Sequence, residues 1–281
     1  MITITVEEAY QTCHILIKQH SKTFAKAFSP LPRKKRNAVW AIYAFCRKVD
    51  DIVDEGQSPE EELAQFEATF SQFLNGTLPL IDPEWVALND VFNTFEMDEQ
   101  PFHEMIAGQR MDLYKKRYAT LAEVENYSYH VASTVGLMLL PVLAPTTHKE
   151  LKPSGIALGK AMQLTNILRD IGEDLDRDRI YIPKQLLDDY HITEEELFAK
   201  NVEPRFVQMW EQLACRAEEL YKEAFKDMHL YPFDSRLSVH GAGLMYRAIL
   251  KAVRLNKHDV FTNRSFVPKE EKELIIAELK P

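Results

Sequence analysis

The chain is 281 residues long and 46% hydrophobic, enough for one sizeable core and close to the length at which chains begin to divide. Its formal net charge of −9 argues against nucleic-acid binding, because proteins that track phosphates usually carry a basic face. An acidic chain can still take an anionic substrate if metal ions stand between the two. Cys13, Cys46 and Cys215 are odd in number, far apart and without a CxxC pair, which argues against a disulfide framework or a zinc ribbon. The opening MITITVEEAY carries no basic region followed by an apolar stretch, so the reading is of a cytoplasmic protein without a signal peptide.

In chain order, Thr5 with Glu8 predicts a helix start of the capping-box type, followed by an apolar stripe of Val6, Ala9, Tyr10, Cys13 and Ile17. Ser29-Pro30-Leu31-Pro32 ends that region. A second stripe, Val39, Ile42, Tyr43, Cys46, Val49 and Val53, predicts a helix up to Gly56. Ser58 with Glu61, Thr120 with Glu123 and Thr193 with Glu196 repeat the capping pattern, and Pro59 adds the first-turn preference of proline. Further breaks are expected at Asn75-Gly76, Pro79 to Pro83, Pro101, Pro145, Pro153, Pro183, Pro204, Pro232 and Pro268.

The apolar run Val131 to Ala144 is too short to span a bilayer, which needs about 20 residues, and reads as a buried helix; peripheral contact with a membrane stays open. Gly241 and Gly243, inside a helical pattern, read as close helix packing. With no sustained period-two alternation, about ten helical segments result, in one all-α domain over residues 1–281.

Two acidic clusters carry the chemistry. In Arg47-Lys48-Val49-Asp50-Asp51-Ile52-Val53-Asp54, Asp50 and Asp54 share a helical face with Arg47. Like charges at that spacing cost about 0.2–0.5 kcal/mol and, near a helix C-terminus, oppose the macrodipole. In the second cluster Gln163, Asn166, Asp170 and Asp174 fall on one stripe, between core residues Leu164, Ile167, Leu168 and Ile171. Magnesium commonly bridges one or two carboxylates to substrate phosphates, which such a pair of clusters would suit. The competing reading is two solvated helix ends with Arg partners. No HExxH, GxSxG, Gly-rich phosphate loop or dinucleotide fingerprint is present.

At these residues the chain resembles the squalene/phytoene synthase family over nearly its whole length. The matching segments are HSKTFAKAF (His20 to Phe28), AVWAIYAFCRKVDDIVD (Ala38 to Asp54), YSYHVASTVG (Tyr127 to Gly136) and QLTNILRDIGEDLDRDRIYIP (Gln163 to Pro183). Within the family it looks most like the bacterial members that make dehydrosqualene.

The resemblance implies a helical bundle with a central apolar cavity and two facing aspartate-rich helices. Asp50, Asp54, Asn166, Asp170 and Asp174 would hold two or three Mg2+ ions with the bound diphosphate. Arg47, Gln163, Ser21 and Arg264 match diphosphate-gripping positions. Phe24, Phe28, Tyr43, Val135 and Leu139 match tunnel-lining ones. Tyr127, Arg169 and Tyr246 match positions at the reacting carbons and leaving group.

The implied reaction joins two farnesyl diphosphates through a cyclopropyl diphosphate to dehydrosqualene. Proton loss replaces the hydride transfer of squalene formation, so no NADPH is expected. Phe28 matches a bulky position that shortens the cavity and favours fifteen carbons. Phytoene formation from geranylgeranyl diphosphate, squalene formation, and a non-catalytic binder of isoprenoid diphosphates are the alternatives. The chain departs from its relatives at Ala107 and Gly108, where an acidic residue is common.

Overall fold

The computed structural model describes residues 4–279; the first three and last two residues of the expected 1–281 domain lie outside them. Fifteen α-helices occur among the described residues. They are α1 Val6–His20, α2 Lys22–Phe28, α3 Arg33–Glu55, α4 Pro59–Leu74, α5 Pro83–Thr94, α6 Gln100–Tyr114, α7 Leu121–Ser128, α8 Thr134–Leu143, α9 Lys152–Arg169, α10 Ile171–Asp176, α11 Lys184–Asp189, α12 Glu194–Phe198, α13 Pro204–Phe225, α14 Phe233–Leu255 and α15 Lys269–Glu278. A π turn, Tyr129–Ser133, precedes α8, and a 3-10 turn, Met228–Leu230, precedes α14. The fold is all-α, and the nearest approach to a sheet is one isolated bridge between Arg117 and Ile180.

The number of helices exceeds the expected ten because several breaks carry no proline or glycine. α1 and α2 part at Ser21, and α9 and α10 part at Asp170. Prolines mostly start helices here: Pro59, Pro83 and Pro204 occupy first turns, where the missing N–H costs nothing. The run Val131 to Ala144 is split between the π turn and α8, with Pro141 inside the helix.

Capping follows the sequence at Thr5 and Thr193, where both halves of the box form. At Thr120 only the Thr half forms, because Glu123 turns to Lys115 and to the Ala119 amide. Ser58 makes no side-chain cap; its amide donates to Glu62 instead. Val6, at the head of the first stripe, is 42% exposed.

The chain folds into two compact units. The first is built from residues up to Leu113, Thr134–Lys152 and Met228–Ala242; the second from Tyr114–Ser133, Pro153–Asp227 and Gly243 onward. In the first unit α3 is clamped by an aromatic core: Phe45 lies 5.0–6.2 Å, ring to ring, from Phe66, Phe70, Trp85 and Phe102. Such pairs add about 0.5–1.5 kcal/mol each beyond their burial. α1 is tied to α5 by Tyr10, whose hydroxyl donates to Asp90 at 2.7 Å.

In the second unit α9 runs against the π turn. A Cβ on Gly159 would lie 2.4 Å from the Ser133 Cα, and the Ser133 hydroxyl donates to the Ile156 carbonyl at 2.8 Å. A Cβ on Gly243 would lie 2.7 Å from the Phe225 ring, in line with the close packing expected there.

Candidate active site

In the first unit α3 presents Tyr43, Arg47, Asp50, Asp51 and Asp54 along its last three turns. Arg47 pairs with Asp50 at 3.1 Å, with Asp51, and with Glu55 at 3.6 Å. Burial alone would lower the Arg47 pKa; these carboxylates, with the Tyr43 phenol nearby, hold it up. Two residues that the sequence reading left without a role complete the cluster. Gln109 and Asp112, both buried on α6, face Asp50: the Gln109 amide donates to Asp50 at 3.3 Å, and the Asp112 charge acts on it. The available signal was a polar pair three apart among the apolar residues of α6.

Asp50 shows what this crowding does. Burial, then Asp54, raise its pKa from 3.8 to about 6 against the pull of Arg47. A carboxyl whose folded pKa is raised stabilises the fold when protonated. That contribution is complete below about pH 4 and is lost as pH rises through about 6. Asp50→Asn is therefore expected to stabilise the metal-free protein by about 1 kcal/mol at pH 7.5, after discounting for partial exposure, and to change little at pH 4. Urea denaturation at the two pH values checks this, and destabilisation at pH 7.5 would reverse the assignment.

Ahead of these charges lies an aromatic group: Phe24 is 4.5 Å from Phe28 and 5.8 Å from Tyr43, ring to ring. Phe28 is buried. Val135 and Leu139 stand one turn apart on α8, which packs against α3. Ser21 ends α1 and begins α2; its amide donates to the Ile17 carbonyl at 2.8 Å and its hydroxyl makes no cap.

In the second unit the expected single stripe is interrupted. α9 stops at Arg169 because the Gly172 amide leaves the helical ladder and donates to the Val260 carbonyl at 3.2 Å. Only glycine permits this approach: a Cβ at 172 would sit 2.6 Å from that carbonyl oxygen. The Trp210 indole donates to the Leu168 carbonyl at 3.0 Å, capping the interrupted helix.

The segment that causes the break is itself built for the task. Lys257 and His258 take left-handed φ of 55° and 60°, Asp259 accepts from the Phe261 and Thr262 amides, and His258 and Arg254 anchor on Glu211. It delivers Arg264 to Asp170 at 3.0 Å and to Glu173 at 3.3 Å.

Asp170 also receives a two-pronged contact from Arg169, at 2.7 and 2.5 Å. Burial would lower the Arg169 pKa, but Asp170 more than offsets it and the pKa rises. Burial likewise raises the Tyr246 phenol, with Arg169 and Arg264 pulling it down and Asp170 up, so Tyr246 belongs to this charge cluster. The Tyr127 hydroxyl donates to the Tyr181 hydroxyl at 3.3 Å, in a stack of Tyr118, Tyr127 and Tyr181 with ring separations of 5.0–5.6 Å.

Whether these residues suit a divalent cation can be judged from Asn166. Its amide nitrogen donates to Gln163 at 3.3 Å, leaving Oδ1 buried without a hydrogen-bond partner. A buried acceptor without a donor is costly, and a hard cation satisfies it. The side chains of Asn166, Asp170 and Asp174 carry oxygen donors, the type magnesium takes. No group of three or more His, Cys, Asp or Glu side chains is preassembled as a metal cage among the described residues.

The family model for squalene/phytoene synthase matches residues 17–271 and so runs through both units. The 15-cis-phytoene synthase of Synechocystis sp. is 38% identical, over 97% of this chain and 84% of that protein. The phytoene synthase of Arthrospira platensis is 39% identical, over 94% and 90%. Among solved structures, a dehydrosqualene synthase in complex with ligand matches with a TM-score of 0.92 at 38% identity, covering 98% of this chain and 96% of that one. The chain belongs to the squalene/phytoene synthase family. It is a prenyltransferase with the isoprenoid-synthase fold, which sets aside the reading of a non-catalytic binder.

Proposed function

We propose that this protein acts as one catalytic domain and joins two molecules of geranylgeranyl diphosphate head to head to give phytoene. The support for twenty carbons is the naming of its curated relatives, phytoene synthases at 36–39% identity. That shifts the preference from the fifteen-carbon substrate expected from Phe28. The observation that carries the chemistry is the Asp170 carboxylate, held by Arg169 and Arg264 and four residues on from Asn166, whose Oδ1 is orphaned.

Magnesium, when bound, would neutralise the departing diphosphate as a Lewis acid. Asp50 and Asp54 would serve one set of cations, Asn166, Asp170 and Asp174 the other. With Asp170 engaged in holding a cation, Arg169 and Arg264 would grip diphosphate oxygens, which their planar guanidinium forks suit. Arg47, Gln163 and Ser21 assist in that grip. Phe24, Phe28, Tyr43, Val135 and Leu139 keep water from the allylic cation. Tyr127 and Tyr246 would offer ring faces or phenol oxygens to the cationic carbons. Ionisation, cyclopropane formation with loss of one proton, second ionisation and loss of a second proton yield the hydrocarbon, two diphosphates and two protons. No reductant is consumed, so no NADPH enters. We place the protein in the cytoplasm, peripheral to the membrane.

The second reading is dehydrosqualene formation from farnesyl diphosphate. Phe28, buried against Phe24 at 4.5 Å, favours it by shortening the space for a chain. Purified protein with Mg2+ and each diphosphate separately decides the matter by mass of the extracted hydrocarbon. Forty carbons from the twenty-carbon substrate are expected, unchanged by NADPH and abolished by EDTA. Turnover of the fifteen-carbon substrate alone would establish the second reading.

A further inference from the structure

The longest basic run in this acidic chain, Arg33-Lys34-Lys35-Arg36, lies at the start of α3 and has no part in either carboxylate cluster. Its neighbour in space is the start of α14. Lys35, mostly buried, ties the two together: its ammonium donates to the Leu143 carbonyl at 3.2 Å, to Asp234 at 2.8 Å and to the Ser235 hydroxyl at 2.9 Å.

Directly before Asp234 stands Phe233, 71% exposed, and one turn on stands Leu237, 37% exposed. An aromatic ring so exposed is costly in water and has no packing duty here. Arg236, on the same turn, holds the approach to α14 by donating to the His229 and Tyr231 carbonyls at 2.8 and 3.0 Å. Glu7 pairs with Arg33 and Asp234 with Lys35, two acids against the four bases of the run and Arg236.

We infer that Phe233 and Leu237, with Arg236 on the same turn and the basic start of α3 tied to it through Lys35, form the surface by which this protein sits on an anionic phospholipid bilayer. Basic groups near such a surface each contribute about a fivefold gain in binding, and exposed aromatic and aliphatic side chains enter the headgroup boundary. No helix among the described residues is long and apolar enough to cross a membrane, so contact of this kind is a surface contact. Local charge decides for lipid over a second copy of the chain: a copy carries a net charge of −9, but its matching patch is this same basic one. The inference deepens the peripheral placement proposed above. Its test contains no prenyl substrate, so its failure leaves the catalytic reading untouched.

The test is flotation of the full chain with vesicles of phosphatidylcholine alone or with 30% phosphatidylglycerol, roughly the anionic content that attracts polybasic segments. Binding is expected only to the anionic vesicles and should fall at least tenfold on raising NaCl from about 0.1 to 0.5 M, as screening predicts. Arg33→Glu with Lys34→Glu, and separately Phe233→Ser with Leu237→Ser, should each weaken binding about tenfold or more while thermal melting stays unchanged. Equal binding to neutral vesicles, or binding unaffected by both variants, overturns the assignment. So does a wild-type dimer, measured by sedimentation, that Phe233→Ser with Leu237→Ser converts to monomer.

Discussion

Replacing Asp170 with alanine is expected to lower kcat by at least about a thousandfold, the scale of losing a central electrostatic group, while the protein remains folded. Asp170 is 15% exposed in its side chain and holds both Arg169 and Arg264. Its removal leaves Arg169, 13% exposed, without its counter-charge, and loss of one partner of a mostly buried pair costs about 3 kcal/mol. A decrease of several degrees in Tm should accompany the kinetic loss.

Asp170→Asn separates the two effects. The carboxamide keeps the shape and one acceptor for Arg169 but loses the negative charge a cation needs. Turnover should fall nearly as far, with less thermal penalty. If Asp170→Asn retained more than a tenth of wild-type kcat with either diphosphate, the second cluster could not be the place where the leaving group is stabilised.

The second large effect is structural. Gly159→Ala is expected to cost about 3 kcal/mol, the upper end for overpacking. The added Cβ would lie 2.4 Å from the Ser133 Cα and 2.6 Å from its nitrogen, both backbone atoms. A backbone cannot rotate aside, so α9 and the π turn must separate along their whole contact. Gly243→Ala supplies the comparison: its Cβ meets the Phe225 ring edge at 2.7 Å, and a ring can turn. Thermal melts should rank Gly159→Ala well below Gly243→Ala, with wild type highest. Equal melting temperatures for the two variants would show that the π turn yields as easily as a side chain.

The helical spacing of the candidate site's carboxylates was legible in the sequence. The alignment of Arg47 with Asp50 follows from residue spacing alone, and Arg47 does pair with Asp50. The break at Asp170 was not legible, since it depends on the Val260 carbonyl, far along the chain, capturing the Gly172 amide. Gln109 and Asp112 escaped notice for a similar reason: a polar pair on one helix has no meaning until Asp50 stands opposite it. The Ser58 cap failed on register, because Glu62 lies nearer the Ser58 amide than the Glu61 the pattern names. Substrate length is the least legible property. Phe28 pointed to fifteen carbons, whereas the named relatives point to twenty.

Neither unit is a contiguous piece of chain: the first waits for Met228–Ala242, and the second already contains Tyr114–Ser133. On the ribosome, therefore, the N-terminal third cannot finish burying its apolar faces until residues near 242 have emerged from the exit tunnel. At about 5–20 residues per second, that leaves helices such as α3 incompletely covered for many seconds of synthesis. Nascent chains of this enzyme would be natural clients for chaperones, and no single internal cut yields one complete unit free of pieces of the other.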